Sequence, residues 1–202
     1  MEPFTTFIWK RIFVQLGGII AIAAVLGGFV LVYNATYNNV AGLDQLADAR
    51  WAQVARDMQE RYGGIPALEA GIRPSLGADV SALDEVSKNL TLWQVALRNG
   101  DIRKINPATT NLEASIGYFS DILKAHPQAA TSWEVQDFMG TLGRTGAQLS
   151  DDRSGYNEAI QRYNQAISSF PASLWTYNWG FLPREYFTAR IGPTAPPPIP
   201  GG

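Results

Sequence analysis

Two tyrosine–asparagine pairs, Tyr156-Asn157 and Tyr163-Asn164, stand seven residues apart in the stretch YNEAIQRYN. A phenol donates or accepts a hydrogen bond, and a carboxamide does both at once. The repeat is therefore compatible with a catalytic strip, a binding face or a packing surface. Seven residues of α-helix turn only about 20° past two full turns, so the two tyrosines share one helix face.

That face is an apolar stripe, which favours the packing interpretation. The step of three or four residues runs through Val135, Phe138, Leu142, Leu149, Tyr156, Ile160, Tyr163, Ile167 and Phe170, with Thr145 and Asp152 as the two polar positions on the stripe. The tyrosine rings are expected to be buried there, with each hydroxyl group bonded to a partner. Asn157 and Asn164, turned about 100° away, would bond a neighbouring helix or remain hydrated. We interpret both pairs as packing residues of the longest helix in preference to a ligand site.

Other reactive side chains are few. The chain has no cysteine and one histidine, which excludes thiol nucleophiles, zinc fingers and multi-histidine metal sites. His126 precedes a proline at a helix end and is interpreted as a solvent-facing capping residue. Asp152 interrupts the apolar stripe, where it either pairs with Arg56 or Arg61 or, in the interpretation we prefer, meets water. We predict no catalytic, cofactor-binding or metal-ligating residue, and hence a non-enzymatic protein.

The charge pattern excludes another class of partner. Sixteen basic and 18 acidic residues give a formal net charge of −2 and are scattered along the chain. Nucleic acid attracts a basic stripe or patch, and the sequence contains none. We therefore predict no nucleic-acid partner.

An apolar run near the N-terminus predicts a membrane anchor. Residues 12–33 carry no charge, and about 21 residues of helix cover the roughly 30 Å of a bilayer core. The run is longer than the apolar core of a cleaved signal peptide, the alternative interpretation. Lys10 and Arg11 flank it, and the next basic residue is Arg50. We predict a single-pass protein of the cell membrane with residues 1–11 in the cytoplasm and the remainder extracytoplasmic.

The body, residues 34–171, shows helical periodicity throughout. One stripe contains Leu43, Ala47, Trp51, Val54, Met58 and Tyr62; a coiled-coil-like one contains Leu83, Val86, Leu90, Trp93 and Leu97; a third contains Leu112, Ile116, Phe119 and Leu123. Pro74 is expected near the start of the second helix and Pro107 at the start of the third. The sequence predicts an all-α fold, a transmembrane helix followed by an antiparallel bundle of about four long helices.

The C-terminal region is rich in aromatic residues. An up-and-down bundle returns Phe170 to the bilayer, so residues 172–191 are expected to pack either on the bundle or at the membrane interface. The residues that we single out there for structure or interaction are Phe170, Pro171, Trp175, Trp179, Gly180, Phe181, Tyr186 and Phe187. The Pro- and Gly-rich tail, residues 192–202, is predicted to be disordered.

These motifs, taken in order, resemble the LemA family of membrane-anchored helical proteins. The similar elements are Tyr37-Asn38, ARWAQVARDMQERY, GIPALEAGI, SGYNEAIQRYNQAISSFPASLW and GFLPREYF. The resemblance implies a bundle of long helices on one anchor, in a family without an agreed biochemical activity. Some relatives are associated with magnetosome membranes, and others are encoded near membrane proteases.

Anchor, bundle and resemblance together lead to an expected function. We expect a non-enzymatic scaffold or interaction protein on the extracytoplasmic face, with the lipid bilayer, further copies of itself or a membrane protein as partners. Gly17 and Ala21, spaced for close helix approach, would permit self-association in the membrane. The alternative is an accessory or adaptor subunit of a membrane protease or other membrane machine, or an organiser of an internal membrane compartment such as the magnetosome.

Overall fold

The computed structural model describes residues 3–192, with the side chains of residues 13–192. The all-α prediction is confirmed, since no strand forms within these residues. The helices are α1 (Pro3–Tyr62), α2 (Ile65–Ile72), α3 (Val80–Asn99), α4 (Ile102–Leu123), α5 (Pro127–Ala130), α6 (Trp133–Ser168) and α7 (Thr176–Trp179). The side chains of Lys10 and Arg11 and the structure of the tail from residue 193 onward lie outside the described residues.

The predicted anchor and the first helix of the bundle form one continuous helix. α1 contains 60 residues and is therefore about 90 Å long. Its N-terminal part is long and apolar enough to cross a membrane, and the described side chains there are exposed. From Val40 onward the same helix contributes buried side chains to the bundle. No flexible linker separates the two parts, because the helix is unbroken from Pro3 to Tyr62.

Two long helix pairs build the bundle. α1 packs along α6, and α3 packs along α4, while α2 contacts both α6 and α3. The buried stripes predicted from the sequence meet in one core, to which Met58, Val86, Ile116 and Leu142 contribute fully buried side chains. The C-terminal end of α6 returns to α1, where Ile167 packs in a smaller cluster with Val40. This places the end of α6 beside the part of α1 that follows the apolar run.

The two prolines do not occupy the positions predicted for them. Pro74 lies outside α3, in a 3₁₀ turn from Arg73 to Ser75 that separates α2 from α3. Pro107 lies inside α4, which begins five residues earlier at Ile102. The start is set by Asp101, whose side chain accepts a hydrogen bond from the backbone N–H of Arg103 at 3.1 Å. The N-cap thus determines the helix start, and the proline is tolerated within the helix.

Candidate functional site

An extended C-terminal segment lies on the bundle and is held there by polar side chains. We call residues 181–192 the strap; they contain no helix, although α7 ends directly before them. Gly180 ends α7 with a φ of 79°, a left-handed conformation in which glycine is unstrained. In the strap, Phe187 and Ala189 are buried while Thr188 and Arg190 are exposed. This alternation is that of an extended chain with one face against the bundle.

The two asparagines of the repeat bind the backbone of the strap. Asn157 Nδ2 donates to the carbonyl oxygen of Phe187 at 3.0 Å, and its Oδ1 accepts from the N–H of the same residue at 2.8 Å. Asn164 holds Arg184 in the same way, with both distances at 2.9 Å. Each carboxamide therefore satisfies both backbone groups of one strap residue. The partner is this segment, and not the neighbouring helix that the sequence suggested.

The two tyrosines of the repeat supply the next hydrogen bonds. The hydroxyl group of Tyr156 donates to the carbonyl oxygen of Glu185, and that of Tyr163 to the carbonyl oxygen of Leu182, both at 3.0 Å. Both side chains are buried, as their place in the stripe predicted. Burial raises the pKa of Tyr156 to about 12 and raises that of Tyr163. Both hydroxyl groups therefore stay protonated and donate at neutral pH.

The seven-residue spacing has a geometric explanation. Seven residues advance about 10.5 Å along a helix, and three residues of extended chain cover about 10 Å. Asn157 and Asn164 accordingly bind Phe187 and Arg184, which are three residues apart and run in the opposite direction. We call this arrangement the backbone ladder. The repeat is therefore matched in length to the extended segment that it holds.

α4 completes the ladder from the other side of the strap. Asn106 Nδ2 donates to the carbonyl oxygen of Tyr186 at 3.0 Å, and its Oδ1 accepts from the N–H of Thr188 at 2.8 Å. Thr110 Oγ1 accepts from the N–H of Arg190 at 3.2 Å. These contacts are to backbone atoms, so both helices hold the strap largely without regard to its side chains.

The far end of the strap reaches a buried ion pair. Arg61 donates to Glu113 through Nε at 2.6 Å and Nη2 at 3.0 Å, and both side chains are almost completely buried. Gly192 completes the arrangement: its N–H donates to Glu113 at 3.1 Å, and its carbonyl oxygen accepts from Arg61 at 3.2 Å. The hydroxyl group of Tyr62 donates to Glu113 at 2.7 Å. The strap thus caps a network that joins α1 to α4.

The electrostatics of this network stabilise the charge of Arg61. Burial disfavours the charge of Arg61, but the hydrogen bonds and the negative charge of Glu113 outweigh it, and the pKa of Arg61 is raised. Burial, followed by the charge of Glu113, raises the pKa of Tyr62 well above its usual range. Arg61 also donates to the carbonyl oxygen of Leu142 at 2.6 Å, which brings α6 into the network.

The remaining aromatic residues divide into two groups. Trp175, Trp179 and Phe181 pack on α1, and Phe187 is buried against Trp51 with ring centroids 5.6 Å apart. Of the aromatic residues singled out from the sequence, two are more than a third exposed, Phe170 next to Pro171, and Tyr186 in the strap.

Sequence reasoning missed Glu113 and Asn106, and it considered Arg61 only as a possible partner of Asp152. Arg61 is three residues beyond Met58 and Glu113 is three before Ile116, so both fall within apolar stripes. A charged residue on such a stripe signals a buried partner. Nothing in the sequence around Asn106 indicates a role in holding the strap.

Two carboxyl groups meet where α1 packs against α6. Asp57 is 4 % exposed, and its Oδ1 accepts hydrogen bonds from Gln53 at 3.1 Å and Gln148 at 3.2 Å. Within the described residues no donor reaches its Oδ2. Burial, followed by the neighbouring carboxyl group of Asp152, raises the pKa of Asp57 to about 6.

Asp152 is half-buried beside Asp57 and, in the part of the chain that the structure describes, is paired with neither arginine of the alternative that the sequence left open. Arg61 is paired with Glu113, and Arg56 donates to Gln53. His126 occupies the N-cap position of α5 without a side-chain hydrogen bond to that helix, and its Nε2 lies 2.8 Å from Asp79. Within the described residues, no group of three or more His, Cys, Asp or Glu side chains is placed to hold a metal ion.

The variant Asp57→Asn is expected to raise the free energy of unfolding at about pH 7.5 by about 1–3 kcal/mol. The folded-state pKa lies above the ordinary value of 3.8, so the folded chain binds this proton more tightly than the unfolded chain. Wild-type stability therefore falls as the pH rises from about 4 to about 6, whereas the amide does not titrate. Urea denaturation across this range checks the prediction. A difference between variant and wild type that does not change with pH would contradict it.

Comparison with known proteins places these residues in a family. The model of the LemA family matches residues 50–199, about three quarters of the chain. The matched range contains the ladder of α4 and α6, the strap and the buried ion pair, and begins after the apolar span. No curated protein matches the sequence. Because the match covers well over half of its length, the chain belongs to the LemA family.

Proposed function

We propose that the protein is a non-enzymatic, membrane-anchored scaffold or interaction protein whose bundle stands on the extracytoplasmic face. The observation that carries this proposal is the continuity of α1 from the apolar span into the core of the bundle. An unbroken helix joins the bundle rigidly to the span, so that the two move as one body, as a scaffold requires. Family membership fits a membrane-associated helical protein.

The use of the polar side chains supports a role in binding and not in catalysis. Tyr156, Asn157, Tyr163 and Asn164, which form the most distinctive polar cluster in the sequence, hold the backbone of the strap. Their hydrogen bonds rigidify the bundle and give its surface a defined shape. The charge pattern of the N-terminus, with Lys10 and Arg11 before the span, supports the proposed orientation.

The exposed surface of the α3–α4 pair supports the proposal that the protein binds another protein. Leu92, Val95 and Tyr118 are each more than 40 % exposed, although most large apolar residues of these helices are buried. Exposed apolar side chains that lie together often mark protein interfaces, and Leu92 and Val95, three residues apart, share one face of α3. Further copies of the chain fit the scaffold role, whereas one different membrane protein fits the accessory role.

Site-specific photo-cross-linking in native membranes tests the proposal. A photoreactive amino acid replaces Tyr118, and the matched control carries it at Glu158, an exposed position on α6. Cross-links between copies at Tyr118 support the scaffold, and one dominant different protein supports the accessory subunit. Equal, diffuse labelling at both positions would overturn the proposal.

A further inference from the structure

The end of the bundle nearest the membrane carries an aromatic cluster on α1. Trp175 packs edge-on against Phe29 and Tyr33, with ring centroids 5.7 and 5.2 Å apart. Trp179 packs on Tyr33 and Tyr37 at 5.1 and 5.3 Å, and its Nε1 donates to the hydroxyl group of Tyr33 at 2.7 Å. These contacts fix the turn after α6 against one face of α1. We call residues 169–180 the collar.

The contact with Phe29 sets the height of the collar relative to the bilayer. Phe29 lies within the apolar run, three residues before Val32, and α1 rises about 1.5 Å per residue. Trp175 therefore packs on α1 within roughly 5 Å of the end of the span. This level is the boundary between hydrocarbon and headgroups, where tryptophan and tyrosine are enriched in membrane proteins.

The exposed apolar side chains of the collar belong to residues other than its two tryptophans. Trp175 and Trp179 are half-buried against α1, whereas Phe170, Leu174 and Tyr177 are 81, 61 and 86 % exposed. All three residues belong to the collar. Three large apolar side chains therefore project from the level of the bilayer surface without a partner in the bundle.

The surroundings of these residues are uncharged. Residues 13–43 and 163–183 contain no Asp, Glu, Lys or Arg. Beyond these ranges the first charges toward the bundle are Asp44 and Arg184, which pair with each other at 2.8 Å, and Arg162, which pairs with Glu158. A partner recognised here is therefore chosen by apolar and aromatic contact and not by headgroup charge.

We propose that Phe170, Leu174 and Tyr177 insert into the interfacial region of the bilayer that α1 crosses. The collar is then a second contact of the bundle with lipid, beside the span. Two contacts at one membrane surface restrict the tilt of the bundle, which one straight helix does not. The inference requires only that α1 spans the bilayer, and it is independent of the proposed scaffold role.

The chain offers a direct test because it contains no cysteine. Single variants Leu174→Cys and Tyr177→Cys in the full chain carry an environment-sensitive fluorophore and are reconstituted in phosphatidylcholine vesicles. Trp133→Cys is the control, since Trp133 is 72 % exposed and begins α6. α6 has 36 residues, which places this control about 50 Å from the collar. Far-UV circular dichroism verifies that each labelled variant retains its helices.

We expect lipids with a nitroxide near the headgroup to quench the labels at positions 174 and 177 several-fold more strongly than the label at 133. Anionic phosphatidylglycerol should leave this difference unchanged, because no charge lies near the collar. Quenching at 174 and 177 equal to that at 133 would overturn the inference. The inference would also be overturned if the labels at positions 174 and 177 became shielded only at a high protein-to-lipid ratio, because the collar would then bind a second copy of the chain.

Discussion

Replacing Glu113 with glutamine is expected to lower the free energy of unfolding by about 3–5 kcal/mol. Arg61 is fully buried and its guanidinium group bonds both carboxylate oxygens of Glu113. The amide keeps the shape of the side chain but removes the negative charge, so a buried cation is left without its counter-ion. Urea denaturation followed by circular dichroism in detergent measures the loss.

Two further variants separate this effect from a general loss of charge. Glu158→Gln breaks an exposed pair with Arg162, whose side chains are 61 and 60 % exposed, and should cost less than about 0.5 kcal/mol. The double variant Arg61→Met/Glu113→Gln removes both charges and should recover part of the stability. A loss below about 1 kcal/mol for Glu113→Gln alone would mean that water reaches the pair.

The helices and the core were predictable because periodicity depends on local spacing. The stripes through Met58, Val86, Ile116 and Leu142 identified the faces that meet in the core. The apolar run likewise identified the part of α1 that is long enough to cross a membrane. Single-residue features were less reliable, since Asp101 and not Pro107 determines where α4 begins.

The strap could not be predicted from the same signals. Its backbone groups bond side chains of Asn106, Asn157 and Asn164 that are 20 to 82 residues away in the sequence. An extended segment without a sheet leaves no periodic pattern long enough to distinguish it from a loop. The sequence indicated the Tyr-Asn repeat, and it indicated that residues 172–191 pack either on the bundle or at the membrane interface, but nothing in it paired the two.

The ladder itself leads to the second prediction, for the double variant Asn157→Ala/Asn164→Ala. It removes four hydrogen bonds to Phe187 and Arg184 and leaves their backbone N–H and C=O groups without these partners. We expect a loss of about 2–4 kcal/mol, since each half-buried unsatisfied group costs on the order of 1 kcal/mol. Urea denaturation measures this loss.

The double variant should also release the strap locally, and trypsin reports that release because it cleaves after arginine. Arg184 is held by Asp44 and Asp48 at 2.8 and 2.6 Å, and its side chain is 28 % exposed. Cleavage after Arg184, followed by mass spectrometry, should therefore be faster in the double variant than in the wild type. Asn111→Ala is the matched control, because Asn111 is exposed on α4 and this change alters only helix propensity, by about 0.5 kcal/mol. If the double variant matched this control in both stability and cleavage rate, the hydrogen bonds of Asn157 and Asn164 would not hold the strap, and its remaining contacts to Asn106, to the two tyrosines and to the buried ion pair would be sufficient.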